Sequence, residues 1–202
     1  MTAVMTFARH LLAAVALLML AACINQYTLA GPGPVASVGG LSLAPTIAWN
    51  RQSPSELVVS SAAPLEFWTQ DGSTLQLMLV FGGVPDGQGL FKKYHDKSEF
   101  PAFRATMTAS EIMELVEATL GKMSGSTLIQ ARDLKPAKFG GLDGFQFAYS
   151  FTGKDEIDRD GIASGAVKDG KLYLLLYSGA KLHHFGKYRP EVERMFGSAR
   201  FG

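Results

Sequence analysis

The sequence predicts an α+β fold in which two main helices pack against an antiparallel β-sheet. In residues 145–151 (FQFAYSF), four aromatic side chains alternate with smaller or polar ones, as in a strand with one buried face. Residues 75–81 (LQLMLVF) and 172–177 (LYLLLY) are almost entirely apolar, which is typical of central strands covered on both faces. Residues 108–123 have the apolar spacing of an amphipathic helix.

Three short strands are predicted ahead of the first central strand, at residues 47–50 (IAWN), 57–59 (LVV) and 65–69 (LEFWT). An Asp-Gly pair at 71–72 separates the last of these from residues 75–81. Because Asp-Gly between two apolar runs is typical of a tight turn, the two runs are predicted to form a hairpin.

Residues 82–89 (GGVPDGQG) predict a glycine-rich loop after this strand. They contain neither G-x-x-x-x-G-K-[ST] nor G-x-G-x-x-G, so a nucleotide site is not expected here. Residues 90–104 mix aromatic and charged residues and predict an exposed connection that its aromatic side chains hold to the domain. The candidate ligand or partner surface on this connection comprises Phe91, Tyr94, His95, Phe100 and Phe103.

Thr108 and Glu111 form the capping box T-x-x-E, which predicts the start of the first helix. Ser124-Gly125 predicts its end. The second helix is predicted to begin near Pro190, because proline suits the first helical position. The expected inner faces are Ile112, Leu115, Val116, Thr119, Leu120 and Met123 in the first helix, and Val192, Met195, Phe196 and Ala199 in the second.

Between the helices the chain predicts a run of antiparallel strands. Residues 128–131 and 162–167 (IASGAV) are strand candidates on either side of the aromatic strand 145–151. Residues 139–144 (FGGLDG) and 168–170 (KDG) predict the turns.

The stretch from Phe139 to Phe201, with its meander of strands and a closing helix, resembles the PsbP/Mog1-like domains. This resemblance covers about a third of the chain and rests on pattern rather than on a motif. It implies helices against an antiparallel sheet, a fold that bacterial envelope lipoproteins use. It brings no catalytic residues with it, and it implies a binding or assembly module rather than an enzyme.

The N-terminus has the three zones of an export signal. Arg9 and His10 are basic, residues 11–20 (LLAAVALLML) are apolar, and Ala21 and Ala22 are small. Ten apolar residues span about 15 Å as a helix, half of a ~30 Å hydrocarbon core, so a signal peptide is favoured over a transmembrane helix.

Leu20-Ala21-Ala22-Cys23 resembles the lipobox of bacterial lipoproteins, and Cys23 is the only cysteine of the chain. The resemblance implies cleavage between Ala22 and Cys23, a diacylglycerol thioether on Cys23 and acylation of its amino group with a fatty acid such as palmitate. It places the protein in the cell envelope, membrane-anchored and facing the periplasm. Ile24, where an aspartate would favour the inner membrane, favours the outer membrane. A plain secretory signal is the alternative.

The predicted organisation has three parts. Residues 1–22 are a signal peptide, residues 23–40 a lipidated N-terminus and flexible tether rich in Gly, Pro and Ala, and residues 41–202 a single α+β domain. An arm that packs irregularly on the domain is the alternative for the tether.

Charge and cysteine content exclude several function classes. One of the 19 basic residues, Arg9, is in the signal, so the mature chain is balanced against its 18 acidic residues. A neutral chain has no long-range field for nucleic acid. Because Cys23 is the only cysteine and the lipid would occupy it, the sequence excludes a disulfide, a zinc finger and a cysteine nucleophile.

Three weaker patterns favour structural over catalytic roles. Residues 155–161 (DEIDRDG) match part of a calcium loop, but Val167 stands where the bidentate glutamate is required, so a hairpin connection is favoured. His183 and His184 are predicted on a strand, where neighbours point to opposite faces and cannot easily share a metal. Residues 161–165 (GIASG) place serine one position late for the G-x-S-x-G nucleophile elbow.

The sequence therefore predicts a non-enzymatic envelope module without a cofactor or metal. The preferred hypothesis is binding of an envelope protein or glycan through one sheet face or through residues 82–104. The second is a carrier of an apolar ligand or lipid, with the aromatic face of residues 145–151 lining a cavity between sheet and helix.

Overall fold

The computed structural model of the chain describes residues 27–53, 59–126 and 128–202. The predicted lipobox, including Cys23, lies outside these ranges, as does most of the predicted strand 57–59. The described residues form an α+β fold with a large antiparallel sheet and two helices, which confirms the predicted fold class.

The helices are α1 (Ala109–Ser124) and α2 (His184–Ser198), and a short 3-10 turn spans Val38–Gly40. In the described part of the chain neither helix is long and apolar enough to cross a membrane. The strands are β1 (Thr28–Ala30), β2 (Val35–Ala36), β3 (Leu41–Leu43), β4 (Trp49–Gln52), β5 (Val59–Ser60), β6 (Leu65–Thr69), β7 (Gln76–Pro85), β8 (Lys93–Tyr94), β9 (Lys97–Ser98), β10 (Gln130–Phe139), β11 (Leu142–Thr152), β12 (Asp158–Lys168), β13 (Lys171–Ala180) and β14 (Arg200–Phe201).

The large sheet has the strand order β1-β4-β6-β7-β13-β12-β11-β10 and is antiparallel throughout. The strand run β10 to β13 is a meander, and β7 pairs with β13 to join it to the N-terminal half. Two small sheets, β14-β3-β2 and β5-β8-β9, lie outside this sheet.

The central strands β7 and β13 are buried on both faces, as their continuous apolar sequences predict. Leu79 and Leu176 pack in one core with α1 and the segment 59–105. Val80 and Leu175 pack in a second core with α2, β3 and β14. The large sheet is thus the middle layer of three, and each of its faces has its own cover.

The glycine-rich stretch is a strand for half its length, which corrects the loop predicted at residues 82–89. β7 continues through Gly82 and Gly83 to Pro85. A Cβ atom on Gly82 would lie 2.7 Å from the backbone nitrogen of Gly39, so only glycine allows the 3-10 turn to pack this closely on the strand.

Helix α1 has the predicted ends. The Thr108 side chain accepts a hydrogen bond from the Glu111 backbone N–H, and the Glu111 side chain accepts one from the backbone N–H of Thr108. Gly125 ends the helix in the left-handed conformation, with φ of 66°. The predicted inner face is buried except for the half-buried Met123.

Residues 28–40 form an N-terminal arm that packs on the domain, which corrects the prediction of a flexible tether for these residues. β1 pairs with β4 at the edge of the large sheet, and β2 pairs with β3. Ala30 is buried in the α2 core, and the partly buried Val35 and Val38 pack against it. Residues 28–40 therefore belong to the domain, because their apolar side chains cover a face that α2 alone leaves open.

Helix α2 begins at His184, six residues before the predicted start near Pro190, which lies within the helix. The helix starts without a side-chain cap on His183, so the sequence carried no start signal there. Asp71 instead binds side chains of the first turns: its Oδ2 accepts from the Tyr188 hydroxyl at 2.8 Å and lies 3.2 Å from His184 Nδ1 and Lys187 Nζ. His183 and His184 therefore lie at the start of a helix and not on the predicted strand.

Buried Glu191 connects the middle of α2 to the segment between β3 and β4. Its carboxylate accepts hydrogen bonds from the backbone N–H and the hydroxyl of Thr46 and from Arg194. Burial raises the pKa of Glu191, but these hydrogen bonds outweigh burial and the net shift is downward.

The strands of the meander follow the predicted order, but some of them begin or end at other residues than predicted. β10 extends to Phe139, well beyond the predicted 128–131, and pairs with β11 along its length. The 139–144 turn is only Gly140-Gly141, and both glycines have positive φ. Asp169-Gly170 forms the second tight turn, also with positive φ at both positions.

We expect Asp71→Asn to lower the free energy of unfolding by about 1 kcal/mol at neutral pH. The substitution removes the negative charge of a carboxylate that contacts three donor side chains. The Tyr188 hydroxyl is the largest cause that lowers the pKa of Asp71, and the two basic neighbours add to it. A lowered folded-state pKa stabilises the fold above the unfolded pKa of about 3.9, and this contribution disappears as the pH falls through the folded value. Urea unfolding across this range measures both effects.

The matched control is Asp143→Asn, the same change at a carboxylate in an exposed hairpin. It should alter stability little at any pH. A D71N variant as stable as the wild type at neutral pH would contradict the role of Asp71 as the anchor of α2.

Candidate ligand-binding cavity

A cavity of about 520 Å³ lies between the large sheet, the C-terminal end of α1 and the β8–β9 hairpin. It is open to solvent at the end of the sheet that carries the β6–β7 and β11–β12 turns. Its apolar lining comprises Leu77, Leu79, Leu120, Met123, Phe151 and Leu176. Its volume is within the range of pockets that bind small molecules.

The strand register builds the floor of the cavity. Leu77 is paired with Ser178 and Leu79 with Leu176, so these four side chains project from neighbouring strands on one face. All four line the cavity. The floor is therefore made by the two central strands whose apolar sequences predicted them.

The ring of Tyr149 lies flat on the sheet because Gly161 is its partner across the strands. A Cβ atom on Gly161 would overlap this ring. The Tyr149 hydroxyl donates a 2.9 Å hydrogen bond to the carbonyl oxygen of Tyr177, which fixes the ring in this position. Tyr149 therefore covers the glycine and leaves open the space above it.

Helix α1 and the β8–β9 hairpin form the roof. Leu120 and Met123 contribute from the last turns of the helix, and Tyr94 contributes from the hairpin. The ring of Tyr94 packs edge-on against Phe91 at 5.7 Å between centroids, so the core holds the hairpin in place. Burial raises the pKa of Tyr94 further above its ordinary value.

Charged side chains surround the mouth. Arg159 binds Asp155 through two nitrogens, at 2.9 Å and 2.7 Å, and the Arg159 guanidinium is largely buried. These hydrogen bonds from Arg159 lower the pKa of Asp155 to about 2. Lys97 and Lys154 also line the mouth, together with His95 and Asp96.

The predicted surface on residues 90–104 is only partly accessible. Phe91, Phe100 and Phe103 are buried in the core with α1, so they are structural and do not form a partner surface. Tyr94 and His95 line the cavity instead. Both faces of the central strands β7 and β13 are covered, so a partner contact through a sheet face could use only peripheral strands such as β10, where most residues are exposed.

The aromatic face of β11 is divided between core and cavity. Phe145 and Phe147 are stacked on each other and buried beneath α1, away from the cavity. Tyr149 and Phe151, farther along the strand, line it. The expectation that four aromatics line a cavity is thus correct for the two nearest the mouth.

The acidic stretch 155–161 forms the β11–β12 turn and the start of β12. Three of its four carboxylates have separate partners: Asp155 binds Arg159, Asp158 accepts from the Thr152 hydroxyl, and Asp160 pairs with Arg132. Among the described residues no three His, Cys, Asp or Glu side chains are grouped as metal ligands.

Sequence reasoning missed most of the lining. Lys97, Lys154 and Arg159 come from three different turns or strands, and no local pattern links them. The pairing of an aromatic residue with a glycine across two strands was the one available signal, since Tyr149 and Gly161 are symmetric about the turn that joins β11 and β12.

No protein-family model matches the chain, and no curated protein is similar to it in sequence. Among solved structures, it is similar to the solution structure of cyanobacterial PsbP (CyanoP) from Synechocystis sp. PCC 6803, with a TM-score of 0.58 and 13% identity over 89% of this chain and 94% of that chain. LpqN, involved in cell envelope biogenesis of Mycobacterium tuberculosis, aligns with a TM-score of 0.37 and 9% identity over 87% of this chain and 91% of that chain. The similarity to PsbP shows a PsbP-like fold, as the sequence pattern predicted.

We expect Gly161→Ala to push the Tyr149 ring into the cavity and to lower the free energy of unfolding by about 1–3 kcal/mol, the usual range for overpacking. Thermal or urea unfolding measures the loss of stability. Near-ultraviolet circular dichroism reports the altered environment of the tyrosine.

Gly197→Ala is the matched control, because nothing lies within 4 Å of a Cβ at this helical position. It should stabilise the protein slightly, since alanine is the better helix former. Equal behaviour of the two variants would show that Gly161 does not hold the cavity open.

Proposed function

We propose that the protein is a membrane-anchored bacterial envelope lipoprotein that binds an apolar or amphiphilic ligand in the cavity above Tyr149. The observation that carries this proposal is the cavity itself. Its floor and roof are mainly apolar, and charged and polar groups lie at its mouth. Sites for small ligands combine these two features.

Binding rather than catalysis is favoured by how the polar groups of the lining are used. Asp155 is held by Arg159, and the Tyr149 hydroxyl donates to the Tyr177 carbonyl oxygen. Lys97 donates to the carbonyl oxygen of Lys122. These groups are structural in their present arrangement and do not form a nucleophile with a base.

The lipobox supports the anchor, and the fold adds a constraint on its reach. Since the domain begins at β1, only four residues lie between Cys23 and Thr28. The five Cα–Cα steps from Cys23 to Thr28 span at most about 18 Å. A lipid on Cys23 would therefore hold the domain close to the bilayer, facing the periplasm, and Ile24 favours the outer membrane.

The anchor predicts that labelled palmitate enters the wild-type protein in growing bacteria and does not enter the Cys23→Ala variant. The variant should also leave the membrane fraction, because one hydrocarbon chain or none cannot hold a protein stably at a bilayer. Equal labelling of the wild type and the variant would contradict lipidation of Cys23, and it would not affect the cavity hypothesis.

The cavity predicts a dependence of affinity on ligand length. For straight-chain amphiphiles, each two added methylenes should tighten binding about tenfold until the cavity is filled, since each buried methylene contributes about 0.8 kcal/mol. Met123→Trp, at the roof, should weaken binding of the longest ligands most. Isothermal titration calorimetry of residues 23–202 carrying Cys23→Ser measures these affinities without a competing lipid.

Ala118→Trp is the control, since it places the same side chain on the exposed face of the same helix. Its affinities should match the wild type. If no amphiphile of any length binds, or if both tryptophan variants behave alike, the cavity is not a ligand site.

A further inference from the structure

Two lysine ammonium groups lie close together at the mouth of the cavity. A Cβ atom on Gly125 would be 3.6 Å from Lys97 Nζ and 3.8 Å from Lys154 Nζ, so both nitrogens surround the C-terminal end of α1. They belong to different turns, the β8–β9 hairpin and the β11–β12 turn. The tertiary fold alone brings them together.

The end of α1 holds Lys97 in position. Its Nζ donates a 2.6 Å hydrogen bond to the carbonyl oxygen of Lys122, in the last helical turn. The negative end of a helix attracts a cation, and the side chain is half-buried there. Because an ammonium group has three donors, this bond leaves two for a ligand.

Positive charge exceeds negative charge at this mouth. The lining has the basic side chains Lys97, Lys154 and Arg159 and the acidic side chains Asp96 and Asp155. Asp155 is already bound by Arg159. Across the described ranges, neither lysine has a carboxylate oxygen within 4.0 Å of its ammonium group.

We propose that Lys97 and Lys154 bind the anionic head group of an amphiphile, a carboxylate or a phosphate, whose tail occupies the cavity. This inference rests on the proposed function and names the class of its ligand. Hydrogen bonds from an ammonium group to an anion are shorter and about twice as strong as neutral ones. The tail then contacts Phe151 and the central strands, while the head group stays at the mouth.

The test compares ligands that share a tail and differ in head group. Decanoate, decyl phosphate and decanol, each below its micelle concentration, are titrated into residues 23–202 carrying Cys23→Ser. The two anions should bind about tenfold more tightly than decanol, and raising the salt from about 50 to 500 mM should weaken only the anions. Inorganic phosphate alone should bind far more weakly than decyl phosphate, since it lacks the tail.

Lys97→Gln and Lys154→Gln should each weaken anion binding about five- to tenfold and leave decanol binding unchanged. Lys135→Gln is the matched control, because Lys135 is exposed on β10 and does not line the cavity. Melting temperatures confirm that each variant is folded.

The outcomes separate the two proposals. Decanol binding as tightly as the anions, inorganic phosphate binding as tightly as decyl phosphate, or lysine variants that weaken all ligands equally would overturn the head-group assignment. Binding of none of the three amphiphiles would overturn the proposed function itself.

Discussion

The need to cover both faces of β7 and β13 determines the architecture of this domain. Side chains such as Leu79 and Val80 alternate between two cores, and each core requires its own layer. Helix α1 and the segment 59–105 supply one layer. Helix α2 supplies part of the other, and the N-terminal arm with β14 completes it. A strand pair with one solvated face would have left the arm free to act as a tether.

The cavity arises where one of these layers ends. Helix α1 has 16 residues and is about 24 Å long, whereas β11 has 11 residues and extends about 36 Å. The helix cannot cover the whole strand, and Gly125 ends it before Phe151 is reached. The β8–β9 hairpin bridges the gap without filling it. Gly161 keeps the space open, because it lets Tyr149 lie flat where a larger residue would raise the ring.

Periodicity and local chemistry predicted much of this fold. The capping box placed the start of α1, and the apolar runs placed β7, β11 and β13 within the sheet. Long-range contacts explain most of the errors. The start of α2 depends on Asp71, more than a hundred residues earlier, and the arm is ordered by β4. The mouth of the cavity combines the hairpin, α1 and the β11–β12 turn, which no local pattern connects.

The short connection between Cys23 and β1 limits what a lipid-anchored form of this domain could do. A tether of the predicted length, residues 23–40, would span up to about 60 Å and let the domain move away from the bilayer surface. With only four residues between Cys23 and Thr28, the first strand would stay within about 18 Å of the anchor, a distance smaller than the diameter of a domain of this size. In such an anchored form, a ligand held in the cavity would therefore remain near the membrane. For the proposed lipoprotein, this geometry would favour holding or presenting an amphiphile at the bilayer surface over carrying it between membranes.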